Sequence, residues 1–364
     1  MDLLAHEHWT KPTTRSVQLV AYPRRGIAYC DELYRAVAEL GVETAQGEWG
    51  GRWLLRHLRR GSLVHIHWPS FFYYQPGKPV ATLFDLLRFM ALLMLMRVKG
   101  ARLAWTAHNL YPHDGGRSLW VHRVARRFVT RMCETIFVHG PTAAALIAEE
   151  FGVPPRKLEL VPHGHWRHAY SPIPERAQAR RKLGLPRNAV VYGFVGSCRP
   201  YKNLAALVQA FADVDADSHL LIAGEFSSRE YSESVRRSVA PHAASRVHFV
   251  ERFLRDDEIM TFVAALDALV LSYRDILTSG AVMLALSAGV PVVAPRMGGM
   301  ADVVSERCGV LYDADSAGAL AEAMREVRER RYEPAEIVAH AMTFDWKVSA
   351  RKLIDAAARN CGTG

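Results

Sequence analysis

The stretch SYRDILTSGAVMLALSAGVPVVAP, residues 272–295, decides the fold. It leaves one apolar strand, ALVLS (268–272), and ends in another, PVVAP (291–295). Between them, residues 278–288 are small and apolar at helical length and stop at Gly289. A strand, a helix and a second strand in so short a span form a βαβ unit of a parallel sheet. The helix opens with Thr278, Ser279 and Gly280. Hydroxyl side chains there cap helices, and a glycine lets a diphosphate approach the first N–H groups.

The same alternation fills the second half of the chain. AVVYGFVG (189–196), HLLIAG (219–224) and RVHFV (246–250) read as strands, and 203–213 and 256–265 as helices. The first half repeats it. Its strands are VQLVAY (17–22), SLVHIHW (62–68), ARLAWTAHN (101–109), ETIFVHG (134–140) and LELVPHG (158–164). Its helices fall at 27–41, 52–61, 117–133 and 141–151, and the proline-spotted stretch 170–187 is the linker. The expected class is α/β: two doubly wound, Rossmann-like parallel-sheet domains facing a cleft. Ligands belong at the carboxyl ends of the strands. The domains are residues 1–170 and 171–344, and a helix at 345–364 has no strand after it.

Composition excludes several classes. The 364 residues fit two domains, and 50% hydrophobic with 23% charged residues is globular, not disordered. Five scattered cysteines without a C-x-x-C pair point to a reducing cytosol and away from a disulfide or zinc framework. The start, MDLLAHEHWTKPTTRS, lacks the apolar core of a secretory signal. No Walker loop or dinucleotide fingerprint is present; YGFVGS lacks the third glycine. The first 170 residues hold 22 Lys and Arg against 13 Asp and Glu, so the whole excess of nine lies there. An anionic surface meeting only that half is implied.

Three groups of residues suggest chemistry. In GFVGSCRPYKN (193–203), a turn at Gly196 is followed by Arg199 and Lys202 just before a helix. Fork, point charge and helix N–H groups together suit phosphate oxygens. In TAHNLYPHDGG (106–116), His108, His113 and Asp114 follow a strand end. Asp114 is the candidate general base, with His108 contacting the substrate or acting instead, although Asp-Gly-Gly is also a turn signal. The pairs His65/His67 and His163/His165 each share a strand face without a third ligand, so no metal is expected. The third group surrounds the apolar run Phe89–Met96, too short to span a bilayer. Phe89, Leu93 and Leu95, with Arg88, Arg97, Lys99 and Arg102 beside them and Arg123, Arg127 and Arg131 at i,i+4 spacing, fit attachment to anionic lipid. Nucleic acid would explain the charge but not the apolar run.

The order of glycine turn, Arg-x-x-Lys-Asn, LLIAGE, VHFVERFLRDDEIM, LALSAGVPVVAPRMGG and GVLYDADSAG resembles the donor domain of GT-B glycosyltransferases, close to family 4, over about 189–346. VHIHWPS and TAHNLYPHD are similar to the acceptor-domain strands, and the helix around Trp346 to the one that crosses back to the first domain. The resemblance implies sugar transfer from a nucleotide diphosphate. Gly196, Arg199, Lys202, Thr278, Ser279 and Gly280 would hold the diphosphate, and Arg252 and Phe253 the base. Domain 1–170 would take the acceptor and domain 171–344 the donor. Retaining members carry Glu-x7-Glu around this helix, and aligned on Gly-Val-Pro those positions are Ile276 and Leu284. ILTSG and AHNLYPHD look instead like the xanthan-type β-mannosyltransferases of exopolysaccharide synthesis. That likeness implies GDP-mannose, inversion, no metal or other cofactor, and a polyprenyl-diphosphate oligosaccharide acceptor. It also implies a site on the inner face of a bacterial plasma membrane. Two alternatives stand beside it: a UDP-sugar or soluble acceptor on the same fold, and a non-catalytic protein that binds sugar nucleotide.

Overall fold

The computed structural model describes residues 18–113, 120–170 and 172–359. The first domain runs β1 (Leu19–Tyr22), α1 (Ala28–Glu39), β2 (Thr44–Gln46), α2 (Gly51–His57), β3 (Leu63–Ile66), α3 (Pro79–Val98), β4 (Arg102–Thr106), α4 (Trp120–Met132), β5 (Thr135–Val138), α5 (Pro141–Phe151) and β6 (Leu158–Leu160). The second runs α6 (Arg176–Leu183), β7 (Val190–Val195), α7 (Leu204–Ala212), β8 (Ser218–Ala223), α8 (Arg229–Arg237), β9 (Val247–Val250), α9 (Ile259–Ala264), β10 (Ala268–Val270), α10 (Gly280–Ser287), β11 (Val292–Pro295), α11 (Met300–Val303), β12 (Gly309–Tyr312), α12 (Ala319–Glu329) and α13 (Pro334–Met342). A last helix, α14 (Trp346–Ala358), follows.

Each domain holds one six-stranded parallel sheet, in the orders β2-β1-β3-β4-β5-β6 and β12-β11-β10-β7-β8-β9. Alternate residues feed opposite faces. In the first sheet, Leu19, Ala21, Leu63 and Ala104 join a core with α1 and α14. Val20, Val64, Ile66, Leu103 and Trp105 join a second core with α2, α3 and α4. Helix α14 packs on α1, so the chain returns to its first domain. There Trp346 is buried and donates from Nε1 to the His165 carbonyl at 2.8 Å.

The chain segments leaving the neighbouring strands β7 and β8 of the second domain approach each other closely. A Cβ on Gly224 would stand 1.9 Å from the Gly196 carbonyl oxygen, and both glycines have positive φ. Only glycine accommodates that combination at the loop after β7.

The apolar run of α3 needs a correction. Phe89 and Leu93, expected at a lipid surface, are fully buried in the second core. They face the sheet, as a helix covering β4 requires. Leu95 is half-buried. Several flanking cations are also committed elsewhere. Arg97 pairs with Glu134. Arg102 bonds Glu134 at 2.7 Å and the Ala357 carbonyl at 3.2 Å. Lys99 donates to the carbonyls of Leu54 and Leu55 at 2.8 and 2.6 Å, closing the end of α2. Arg123, Arg127 and Arg131 are exposed. The exposed apolar residues of α3 lie on its other face: Val80, Leu83, Phe84, Leu87, Met94 and Val98.

Candidate active site in the interdomain cleft

The carboxyl ends of the two sheets face each other. The first domain presents imidazoles. His67 follows β3, His108 follows β4, His139 follows β5 and His163 follows β6. Tyr29, from the first turn of α1, sits among them with ring centroids 5.6, 4.5, 5.3 and 5.2 Å from those four and 5.0 Å from Trp346. His108 also stacks on Trp68 at 4.2 Å and 12°. Burial holds these rings neutral. His108 and His67 lie well below the usual imidazole value, pushed first by desolvation and then by neighbouring histidines. His139 is lowered to about 3 and His163 to about 4 by burial. A neutral imidazole accepts a proton; an imidazolium does not.

The second domain presents a cation. Lys202 is almost completely buried, and its Nζ donates to Ser197 Oγ at 3.3 Å. The rings of Phe194, Tyr201 and Tyr273 surround it at 5.2, 5.8 and 6.0 Å. Among the described residues no carboxylate pairs with it. Burial lowers its pKa to about 8. A buried ammonium held only by a hydroxyl and ring faces is poised for an anion. Tyr273 links it to the helix start, its hydroxyl standing 3.4 Å from Ser279 Oγ. Neither Thr278 nor Ser279 caps α10: Thr278 donates to the His108 carbonyl at 3.2 Å, and no side chain bonds the first N–H groups. Those N–H groups stay available to an incoming acceptor.

The walls touch at several points. His113 stacks on Tyr201 with centroids 3.6 Å apart. Trp166 donates from Nε1 to the Gly280 carbonyl at 3.0 Å, and a Cβ on Gly280 would sit 3.5 Å from His163 Nε2. Asp302 accepts from Thr142 N at 3.0 Å and Thr142 Oγ1 at 2.8 Å, so a carboxylate of the second domain caps α5 of the first. A cavity of about 300 Å³ lies between, lined by His139, His163, Thr278, Ser279, Met283 and Asp302 among others.

Gly196, Lys202, Thr278, Ser279, Gly280 and His108 therefore converge on one cleft. Arg199 stands exposed on the loop that carries Lys202. Arg252 and Phe253 follow the carboxyl end of β9, the strand at the edge of the second sheet. Arg252 is engaged in a two-point pair with Glu258, the second contact at 2.9 Å, and Phe253 is exposed. Asp114 lies outside the described residues. Ile276 is half-buried and Leu284 buried, so neither position brings a carboxylate to the cleft. Tyr29, Tyr273 and Asp302 belong to the site without a motif to mark them. Three of the four cleft histidines share one sequence signal, the His one or two residues past an apolar strand.

Two parallel-sheet domains facing each other across a cleft form the GT-B fold. Residues 189–330 match the family described as Glycosyl transferases group 1. GDP-mannose:glycolipid 4-beta-D-mannosyltransferase of Xanthomonas campestris pv. campestris is 28% identical over 277 residues, 73% of this chain and 71% of that protein. D-inositol 3-phosphate glycosyltransferase of Corynebacterium efficiens is 26% identical over 361 residues, 94% of this chain and 80% of that one. Sucrose-phosphate synthase of Thermosynechococcus elongatus superposes with a TM-score of 0.71 over 95% of this chain and 99% of that one, at 17% identity. The two domains together have the GT-B fold, and the second matches the group 1 glycosyl transferases.

Proposed function

We propose that the protein transfers mannose from GDP-mannose, with inversion, onto a lipid-linked oligosaccharide during exopolysaccharide synthesis. The observation that carries this reading is one cleft faced by His108, whose carbonyl takes the Thr278 hydroxyl just before α10, and by buried Lys202, beside the Tyr273 ring that reaches Ser279. The leaving diphosphate needs positive charge and N–H dipoles. Lys202 and the start of α10 supply both, so the reaction requires no metal. The attacking hydroxyl needs a base, which His108 provides or the neighbouring Asp114 does. With Ile276 and Leu284 in place of glutamates, the site lacks the acids of the retaining pattern. The Xanthomonas relative, a β-mannosyltransferase using GDP-mannose and a glycolipid, supports the same direction. The Corynebacterium relative supports a second reading, transfer onto a small phosphorylated acceptor. Melting the protein against GDP-, UDP- and dTDP-sugars ranks the donors, and NMR of the product reads the anomer. An α-linked product from the α-linked donor would end the inverting reading. Stabilisation by a UDP-sugar alone would replace the donor.

The lipid-linked acceptor places the enzyme on the inner face of a bacterial plasma membrane. The outer face of α3 supports this. Phe84 is 67% and Val98 85% exposed, with Leu83, Leu87, Met94 and Trp120 open beside them. Arg52, Arg56, Arg88, Arg123 and Arg127 are exposed on α2, α3 and α4. Apolar side chains in a basic surround fit the boundary of an anionic bilayer. Phe84→Ser with Leu87→Ser should make flotation with phosphatidylglycerol vesicles fully reversible by salt. Wild-type flotation no better than that of a soluble control would favour the small acceptor.

A further inference from the structure

Among the cleft imidazoles, His163 is the one whose outer nitrogen faces the start of α10. We infer that His163 is a specificity-determining residue of the donor subsite, its Nε2 lone pair accepting a hydrogen bond from a hydroxyl of the transferred sugar. The inference rests on the reading above that the diphosphate of a sugar nucleotide docks on the start of α10.

The fold puts the ring there. Strand β6 ends at Leu160, and Val161 and Pro162 carry the chain on to His163 at the carboxyl end of the sheet. Rings from four separate segments surround it. Their centroids lie at 5.2 Å for Tyr29 of α1, 5.4 Å for His139 after β5, 5.3 Å for Trp166 and 5.7 Å for Trp346 of α14. Trp166 also donates to the Gly280 carbonyl at 3.0 Å, so the cluster that holds His163 holds the first residue of α10 as well.

The backbone sets the tautomer. His163 Nδ1 lies 3.1 Å from the Gly164 carbonyl oxygen. A carbonyl oxygen only accepts, so Nδ1 carries the proton of the neutral ring and Nε2 keeps its lone pair. Burial favours that neutral form. Among the described residues no hydrogen bond reaches Nε2, and the ring is only half-buried, so a ligand can reach it. A lone pair repels an anion, so the group it takes is not the diphosphate. A sugar hydroxyl, which donates, is complementary to it.

A glycine leaves the room for that hydroxyl. A Cβ built on Gly280 would stand 3.5 Å from His163 Nε2 and 3.8 Å from the Trp166 ring. No side chain caps the opening N–H groups of α10. A diphosphate on those groups holds its sugar one ester bond away, beside the cavity of about 300 Å³ that His163 lines with Thr278, Ser279 and Met283. That volume lies at the small end of ligand sites. Val161, Val282 and Met300 give the cavity an apolar wall, which suits the C–H face of a pyranose, while the imidazole suits its hydroxyl edge. Ile276 and Leu284 bring no carboxylate to the sugar from the second domain. The acceptor of its hydroxyl comes instead from the opposite wall, so the sugar is read across the cleft.

Calorimetry with GDP and GDP-mannose tests this. His163→Leu removes the lone pair and keeps an apolar side chain. It should lower the affinity for GDP-mannose relative to GDP by about 3- to 10-fold, the worth of one net hydrogen bond, with GDP itself bound as before. His163→Gln, whose side-chain oxygen accepts, should recover part of the loss. Among deoxy analogues of GDP-mannose, one should bind the wild type more weakly by the same factor and lose nothing further in His163→Leu. Gly280→Ala is the second variant, in case His163→Leu does not fold. Its methyl fits at ordinary contact distance and favours the helix, so the melting temperature should hold while GDP-mannose loses affinity relative to GDP. Equal losses for GDP and GDP-mannose in His163→Leu would overturn the inference, because the ring would then serve the diphosphate or the packing of the cleft. So would unchanged GDP-mannose affinity in both variants, or deoxy analogues that all bind the wild type as GDP-mannose does. If the wild type binds neither GDP nor GDP-mannose, the donor reading fails, and the same comparison with UDP and UDP-glucose decides His163. Failure of both nucleotide pairs to bind would overturn both readings.

Discussion

The two walls of the cleft handle charge in opposite ways. The first domain gathers His65, His67, His108, His139 and His163 and keeps all of them neutral by burial. The second buries one lysine and leaves it without a carboxylate among the described residues. One wall stays uncharged, and the other carries a charge that suits an anion. Burial already makes those imidazoles weak bases, and a cation beside them on the same domain would weaken them further. Separating cation and imidazoles across a closing cleft avoids that conflict and brings them together when both substrates are bound.

The acid limb of stability is the most sensitive probe of the neutral wall. His65, His139 and His163 have folded values of about 3, 3 and 4. Unfolded, each titrates near 6.5. Between those values only the unfolded chain binds the proton, so stability is full above about pH 6.5 and falls as pH drops. The slope is about 1.4 kcal/mol per pH unit from each ring. Melting curves from pH 7 to 5 should show a loss of several kcal/mol. A flat profile would mean these rings are hydrated and the contrast is false.

The cationic wall is tested by donor binding. Lys202→Ala should weaken it by about 1.5–3 kcal/mol in calorimetry, the range for a charged hydrogen bond. In the wild type, donor affinity should be constant below about pH 8 and weaken above it, because binding needs the ammonium. Affinity unchanged at pH 9 would show that the anion sits elsewhere. Arg199→Ala should cost less, about 1 kcal/mol or under, because its guanidinium is exposed and solvent-screened. An Arg199 effect equal to that of Lys202 would mean the loop folds inward over the donor. The smallest effect belongs to the tie between the walls. Thr142→Val removes the hydroxyl bonded to Asp302 and should lower stability by about 1 kcal/mol or less, with donor affinity intact.

Much of this was legible in the sequence because parallel sheets advertise themselves. Interior strands such as VVYGFV and HLLIA are apolar throughout, and glycine turns mark their ends. The edge strand β2, Thr-Ala-Gln, is short and carries no such signal. Gly196, Lys202, Thr278 and Gly280 were readable because phosphate binding needs local backbone geometry near charge. The rest of the site was hidden for the opposite reason. Tyr29 and Asp302 come from distant segments, and only the folded topology brings them together. The apolar run of α3 misled in a different way. Phe89 and Leu93 alternate with Met94 and Val98 around a helix that is apolar on both sides, so sequence alone does not say which side meets the core.

Helix α14 has a consequence for how the protein is made. Trp346, Ala350, Leu353 and Ile354 complete the core on which Leu33 and Val37 of α1 rest, yet they are synthesised after the whole second domain. The emerging first domain cannot close that face by itself. At about 5–20 residues per second, translation leaves it open for on the order of ten seconds or more. A nascent chain of this kind depends on protection of that apolar face until its last helix leaves the ribosome.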